Sequence, residues 1–459
     1  MDQPKIKLTF CGGVEEVTGA NFLLEISNGN ETHKILIDCG LTQGSRFADA
    51  KNRAPFSYDP ATIDFLFITH SHIDHIGRIP KLFHEGFKGK IISTPETRSL
   101  AYPMLLDAER IMDEESREHG ILPLYDKKDV EASMTLWHGI LYEENREIFN
   151  GVRVVPRDAG HVLGSAIYEI FVENKKIVFT GDLGNSPSPL LRDTEIVTGA
   201  DYLIMESVYG DRNHESKEET RAGLKNAILQ TIKKGGTLLI PIFSLEKTQI
   251  ILYEMNNMVE KGEIPIVPVF LDSPLAIKIT EIYKDSSYLF NEKAREIISS
   301  GDDVFHFPKL RFTPTRMESE AIANAKSPKV IIAGSGMSTG GRITHHEKRY
   351  LSDRKNSILF VGYQAAGCLG RQIQEEVRRV DIDGDSVDVK AEIFSITGYS
   401  SHKDRDGLVD FVENTASTLK KVFVVMGEPK SALFFAQRLK DYLGVEAIHP
   451  EEGETFELS

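Results

Sequence analysis

The sequence predicts an α/β protein built in two parts, and two patterns carry that prediction. Over the first third, short apolar runs of strand length follow one another, and several end in aspartate, histidine or glycine. Beyond about residue 210, strand-like and helix-like segments alternate, which implies βαβ units and a parallel sheet. Size agrees: 459 residues with 41% hydrophobic content are enough for large cores in roughly two to three domains.

In order, strands are expected at Ile6–Phe10, Asn21–Ile26 and Lys34–Ile37, the last closed by Asp38-Cys39-Gly40. Phe65–Ile68 is a further apolar run, followed by Thr69-His70-Ser71-His72-Ile73-Asp74-His75. Helical spacing covers about Pro95 to Glu115 and Asp126 to Trp137. Strands return at Val152–Val155, Ala166–Phe171, Lys176–Thr180 and Asp201–Met205. The alternating region pairs Thr237–Ile242 with a helix from about Leu245, and Ile266–Phe270 with one from about Pro274. It then pairs Lys329–Ala333 with one from about Arg342, and Ser357–Val361 with one from about Arg371. Asp381–Asp385 is an acidic turn. Lys421–Val425, a helix from about Lys430 and a short strand near Val445 complete the chain.

A net charge of −15 argues against a broadly basic surface for nucleic acid or anionic membrane, while leaving room for a local basic cleft. No apolar run approaches the roughly 20 residues that span a bilayer, and Met1-Asp2-Gln3-Pro4-Lys5 has no apolar signal core. The three cysteines are scattered and odd in number, which fits a reducing cytoplasm and no disulfide framework.

Three imidazoles and a carboxylate within residues 70–75 are hard to explain as packing, and they suit zinc or a similar divalent ion. His70 and His72 converge on one side of an irregular turn, while Asp74 and His75 fall on another, where a second ion has room. Asp38, His161 in Ala159-Gly160-His161, Asp182 in Gly181-Asp182-Leu183 and His402 in Ser401-His402-Lys403 also sit at expected strand ends, where layered α/β folds mount ligands. Each alone reads as a turn or cap residue. Together with the histidine cluster they read as a metal site.

The order Asp38, HxHxDH at 70–75, His161 and Asp182 resembles the metallo-β-lactamase superfamily. Glu206 in Met205-Glu206-Ser207-Val208-Tyr209-Gly210, the late His402, and the segments 271–276, 334–342 and 362–371 resemble its β-CASP group of nucleases. The resemblance covers nearly the whole chain. It implies an αββα sandwich, residues 1–208 and 386–459, with an inserted β-CASP α/β domain over 209–385 whose parallel sheet is flanked by helices. It implies two zinc ions per chain: one held by His70, His72 and His161, the other by Asp74, His75 and His402, with Asp182 bridging and Asp38 orienting ligands. Asp74 would also steer the attacking hydroxide, and His402 supported by Glu206 would serve the leaving-group side. Two cations lower the pKa of a shared water and neutralise charge on a scissile phosphate.

The substrate so implied is single-stranded RNA, cut endonucleolytically or also exonucleolytically, by a cytoplasmic enzyme with no membrane role and with a homodimer among its open assemblies. The loop 334–341, with Ser335, Ser338 and Thr339, offers backbone N–H groups, hydroxyls and a helix start to a phosphate, and Arg342 and Arg371 offer forked donors. Tyr209 or Phe243 would stack on a base, or equally pack in the core. Gln372 stands where many relatives carry a histidine near the leaving group; Arg371 or the His345-His346 pair would take its place, although a plain helix-surface role suits that pair better. Val208, where threonine is common, is a second departure. Three other readings are a DNA nuclease of the same group, a small-ester or thioester hydrolase, and an inactive scaffold. The insertion argues against the second and the intact ligand set against the third.

Overall fold

A computed structural model describes residues 4–29, 31–44, 47–365 and 367–459. Residues 1–3, part of the N-terminal stretch read above, and Ala366 of the segment 362–371 lie outside the described residues. The chain forms two compact units, 1–213 with 402–459, and 214–401.

The first unit holds two seven-stranded sheets. One runs in the order Thr455–Glu457, Lys5–Gly12, Asn21–Asn28, Glu31–Ile37, Phe65–Phe67, Lys90–Ser93, Trp137–Gly139. The other runs Ala447–Ile448, Lys421–Val425, Tyr202–Glu206, Lys175–Phe179, Ala166–Val172, Val152–Asp158, Arg146–Phe149. Lys5–Gly12 shows why such a run becomes a strand facing a core: Ile6, Leu8 and Phe10 alternate inward while Lys5 and Lys7 stay exposed. These side chains meet Tyr168, Phe179 and Phe423 of the second sheet in one apolar layer. The outer face of the first sheet is covered by Ile76, Leu82 and Leu105 from helices. The outer face of the second is covered by Leu408, Phe435 and Leu439 from Arg405–Glu413 and Pro429–Leu443. The order helix, sheet, sheet, helix is the expected sandwich.

The second unit has a six-stranded sheet, Leu310–Phe312, Val269–Asp272, Lys329–Ala333, Thr237–Pro241, Ser357–Val361, Glu392–Ile396, in which every pairing is parallel. Its central strands are buried along their whole length, as a parallel sheet covered on both faces requires. The helix Lys217–Lys233 that precedes it starts with a capping box from Ser216 and Glu219.

Several expectations shift. The strand expected at 266–270 forms at Val269–Asp272, because Pro268 cannot donate to a ladder. The helix expected from Arg371 starts at Leu369. The acidic turn joins a hairpin, Arg379–Ile382 with Asp385–Asp388. Residues 386–401, expected with the C-terminal part of the first domain, lie in the second unit because Glu392–Ile396 pairs with Ser357–Val361. Among the described residues no helix is long and apolar enough to cross a membrane.

Candidate metal centre

The site is built at strand ends of the first unit. Asp38 follows Glu31–Ile37 in the left-handed region at φ 58°. Its Oδ1 accepts from the Thr69 amide and its Oδ2 from the Thr69 hydroxyl, both at 2.8 Å. Oδ2 also lies 2.8 Å from His75 Nδ1. That contact keeps a proton on Nδ1, and Nε2 faces the site. Gly40 lets residues 73–75 lie close: a Cβ there would fall 1.5 Å from the Asp74 carbonyl oxygen. Backbone bonds from Cys39 to His75 and from Leu41 to Ile73 fix that approach.

Four chain segments converge on one small volume. His70 Nε2 is 3.0 Å from His72 Nδ1, which is 3.2 Å from His161 Nε2. Asp182 Oδ2 lies 3.4 Å from His70 Nε2 and 3.5 Å from both His161 Nε2 and His75 Nε2. It is 3.9 Å from His402 Nδ1. Asp182 is thus common to two groups of close ligand atoms, His70–His72–His161–Asp182 and Asp182–Glu206–His402. Asp74 approaches less directly, with Oδ2 3.9 Å from His75 Nε2. The second group contains Glu206, which the resemblance does not make a ligand, and omits Asp74 and His75.

His402 is mounted by its own backbone. It bridges to Gly184, and the Lys403 amide donates to the Leu183 carbonyl at 2.8 Å. Glu206 accepts from the Leu183 amide at 2.6 Å and holds His402 Nδ1 at 3.1 Å. The sequence reading names Thr69 and Leu183 only as neighbours of ligands. The signal for Thr69 was a hydroxyl-bearing residue one position before the first histidine; the Leu183 amide has no side-chain signal at all.

The electrostatics suit a cation. Burial and the neighbouring His75 hold His70 well below the usual imidazole range. Burial works against charge on His75 too, yet the carboxylates of Asp182 and Asp38 raise it well above that range. Burial opposes ionisation of Asp182, but His75 and His70 outweigh it and hold the carboxyl well below its usual value. Burial pushes Asp74 up to about 6 against the pull of His75. Two buried ligand atoms, His75 Nε2 and Asp182 Oδ1, have no hydrogen-bond partner among the described residues. Imidazole nitrogens about 3 Å apart either share a proton or hold a cation between them. Ligands on a tetrahedral ion with bonds of about 2.0–2.1 Å stand roughly 3.3–3.4 Å apart, near the separations seen here. The donor set fits a divalent ion.

Family models agree. That of the Metallo-beta-lactamase superfamily matches residues 18–231, the Beta-Casp domain 248–373, and the Zn-dependent metallo-hydrolase RNA specificity domain 386–450. Ribonuclease TTHA0252 of Thermus thermophilus is 35% identical over 93% of this chain and 94% of its own length. The chain belongs to the metallo-β-lactamase superfamily, in its β-CASP group. It is therefore a metal-dependent hydrolase. Transcription termination factor FttA of Thermococcus kodakarensis is 31% identical over 99% of this chain and 71% of that protein. An RNase J-like protein of Methanocaldococcus jannaschii is 28% identical over 98% and 99%. The crystal structure of an Enterococcus faecalis protein of unknown function shares the fold, with a TM-score of 0.56 at 13% identity over 99% of this chain and 100% of that one.

The residues expected to touch substrate behave differently. Arg342 Nη1 donates to Asp272 at 2.7 Å and to the Thr313 carbonyl at 2.6 Å, and Nη2 to the Pro314 carbonyl at 2.9 Å. It is a structural tie rather than a phosphate clamp. Ser338 is buried, and its hydroxyl donates to Glu347 at 2.5 Å, so it faces no ligand. The amides of Ser335, Ser338 and Thr339, expected to be available, are engaged inside the loop. The Ser335 and Thr339 hydroxyls are exposed and 3.3 Å apart. Arg371 pairs with Glu375 at 2.6 Å on the surface, and Gln372 is exposed beside it. His346 is buried and held by Asp272 at 2.7 Å, and only His345 is exposed on the helix surface. Tyr209 is buried under Arg212, with its ring 6.1 Å from that of His402, and is not open to a base.

Proposed function

We propose that the protein is a zinc-dependent ribonuclease that hydrolyses phosphodiester bonds of single-stranded RNA, with two zinc ions per chain. One observation carries the reading: a single carboxylate oxygen, Asp182 Oδ2, stands 3.4–3.9 Å from His70, His75, His161 and His402, as a ligand shared by two ions would. The names of the ribonuclease and termination-factor relatives, and of the RNA specificity model over 386–450, support RNA as substrate. Three free cysteines support a cytoplasmic setting.

His70, His72, His161 and Asp182 would hold one ion, and Asp182, His402, His75 and Asp74 the other, with Glu206 beside them. Bound there, divalent ions make hydroxide available near neutral pH and offset charge on a phosphodiester. The protein's own groups do the rest. Asp38 keeps the His75 Nδ1 proton in place and so keeps Nε2 directed at the site. Glu206 holds His402 at Nδ1, and its other bond, to the Leu183 amide, prevents it from swinging away. Asp74, whose Oδ2 lies 3.9 Å from His75 Nε2, would combine ligation with steering the attacking hydroxide.

The test is direct. Purified protein is incubated with labelled single-stranded RNA, matching DNA and a thioester, with and without a chelator. RNA cleavage that a chelator abolishes and zinc restores, together with about two zinc ions per chain by elemental analysis, is expected. Cleavage of DNA or thioester in preference to RNA would reject the substrate assignment.

A further inference from the structure

The turn that carries Asp38 is held by residues that no motif contains, and Asn21 is the point where they join. Asn21 opens the strand Asn21–Asn28 and is 1% exposed. Its Nδ2 donates to the Asp38 carbonyl at 2.8 Å, and its Oδ1 accepts from the Tyr58 hydroxyl at 3.1 Å. A carbonyl can only accept, so this orientation of the amide is the one that suits Asp38.

Asp38 needs such a hold. Its left-handed backbone is one that a residue with a side chain adopts at a cost. Its carboxylate must at the same time reach Thr69 and His75. Asn21 fixes the peptide group that follows Asp38, and the bond from the Asp38 amide to the Phe67 carbonyl, at 2.9 Å, fixes the one before it. With both peptide groups held, the side chain stays aimed at Thr69 and His75. The same short stretch grips the other half of the cluster. The Ala20 carbonyl accepts from the Gly40 amide and the Ala20 amide donates to the Asp74 carbonyl, both at 3.0 Å. Residues 20 and 21 therefore join the turn of Asp38 to the turn of Asp74 and His75.

A separate strap, residues 52–58, holds Tyr58 against Asn21. Asn52 accepts from the Thr42 amide at 2.9 Å and donates to its carbonyl at 2.8 Å. Lys81 Nζ donates to the Asn52 and Ala54 carbonyls at 2.9 and 2.5 Å. The Phe56 ring packs against the Arg78 and Lys81 cations and stacks on Tyr58 with centroids 5.3 Å apart. Arg78 also donates to the Gly40 carbonyl at 2.6 Å, so strap and turn share one anchor.

We propose that Asn21, oriented by Tyr58, is a positioning residue for the metal centre. It holds Asp38 so that His75 presents Nε2, and it acts on the His75 side of Asp182 rather than on the His70–His72–His161 side. The division into two sides rests on the two-ion reading; the hold on His75 does not.

The full chain, labelled with nitrogen-15 in histidine and stripped of metal, gives the first readout. Exchange of the His75 Nδ1 proton with solvent is followed by nuclear magnetic resonance. Asn21→Ala should speed it about tenfold and Tyr58→Phe about threefold, each through the loss of one hydrogen bond. The double variant should match Asn21→Ala alone, because Tyr58 acts through Asn21. Additive effects overturn the link to Tyr58. A merely structural role lowers thermal stability and leaves exchange in the folded protein unchanged, and that outcome overturns the proposal. Where Asn21→Ala does not fold, Tyr58→Phe decides, and an unchanged rate overturns it equally.

Cobalt(II) alone, titrated into the stripped protein and followed by its visible absorption, gives the second readout. The parent should bind it in two steps. Asn21→Ala should weaken one step about tenfold, as loosening a ligand's hydrogen-bond partner does, and leave the other within about twofold. Equal weakening of both steps, or of neither, overturns the assignment to the His75 side. A single step in the parent overturns the two-ion reading instead, and the exchange rates still decide on Asn21.

Discussion

The two units place polar residues at the same kind of position, the ends of parallel strands, and use them in opposite ways. In the first unit, Asp38, His70, His75, Asp182, Glu206 and His402 surround one volume, and the hydrogen bonds among them direct ligand atoms inward. In the second, Asp272 binds Arg342 and His346, and Ser338 binds Glu347, so these side chains satisfy one another. Motif residues in the first unit gather around one volume, and in the second they tie the loop that carries them. Residue type separates the two: imidazoles bring lone pairs that need a cation, whereas an Arg–Asp pair satisfies itself.

That contrast can be broken, and the largest effect should come from the metal side. His70→Ala combined with Asp182→Ala should lower hydrolysis at least about 1,000-fold and remove bound metal, while the fold persists by circular dichroism. Retained activity would make the site structural. Next is the second unit's internal tie. Asp272→Ala leaves Arg342 and His346 without their buried partner and should destabilise that unit by about 3–5 kcal/mol. Hydrogen exchange in Lys329–Ala333 measures this, and metal content should not change. Asp38→Asn should weaken metal binding about 10–100-fold by loosening His75, as a competing chelator would report.

A subtler effect is pH-dependent. Glu246 and Glu347 are pushed by burial from 4.5 to about 8, so the folded state holds more protons than the unfolded one between those values. Stability of the second unit should therefore fall as pH rises from about 4.5 to 8. Lys247 is lowered from 10.5 to about 8, which makes stability rise again between 8 and 10.5. A minimum near pH 8 is expected by hydrogen exchange, and Glu347→Gln should flatten the falling limb. Smallest of all, Arg371→Ala breaks only an exposed pair and should leave stability unchanged within error.

Much of this was readable before any coordinates. Apolar runs bounded by glycine located the central strands, because a strand buried on both faces must be apolar throughout. The clustering of imidazole and carboxylate was readable because those side chains at strand ends have few other uses. Contacts made by backbone were not readable. The Leu183 amide that holds Glu206 carries no side-chain mark, and Thr69 looks like any strand-end threonine. Arg342 was misread for a related reason: a guanidinium suits a phosphate and a buried aspartate equally, and only the fold reveals that Asp272 is beside it.

His402 joins Glu206 across 196 residues of intervening chain. At a synthesis rate of about 5–20 residues per second, roughly 10–40 s separate the emergence of these two partners. The first histidines, the glutamate and the whole inserted unit exist before the final ligand does. A nascent chain thus lacks His402 beside Asp182 and Glu206 until the whole second unit has been made, and the order of residues along the chain acts as a timer on the proposed centre.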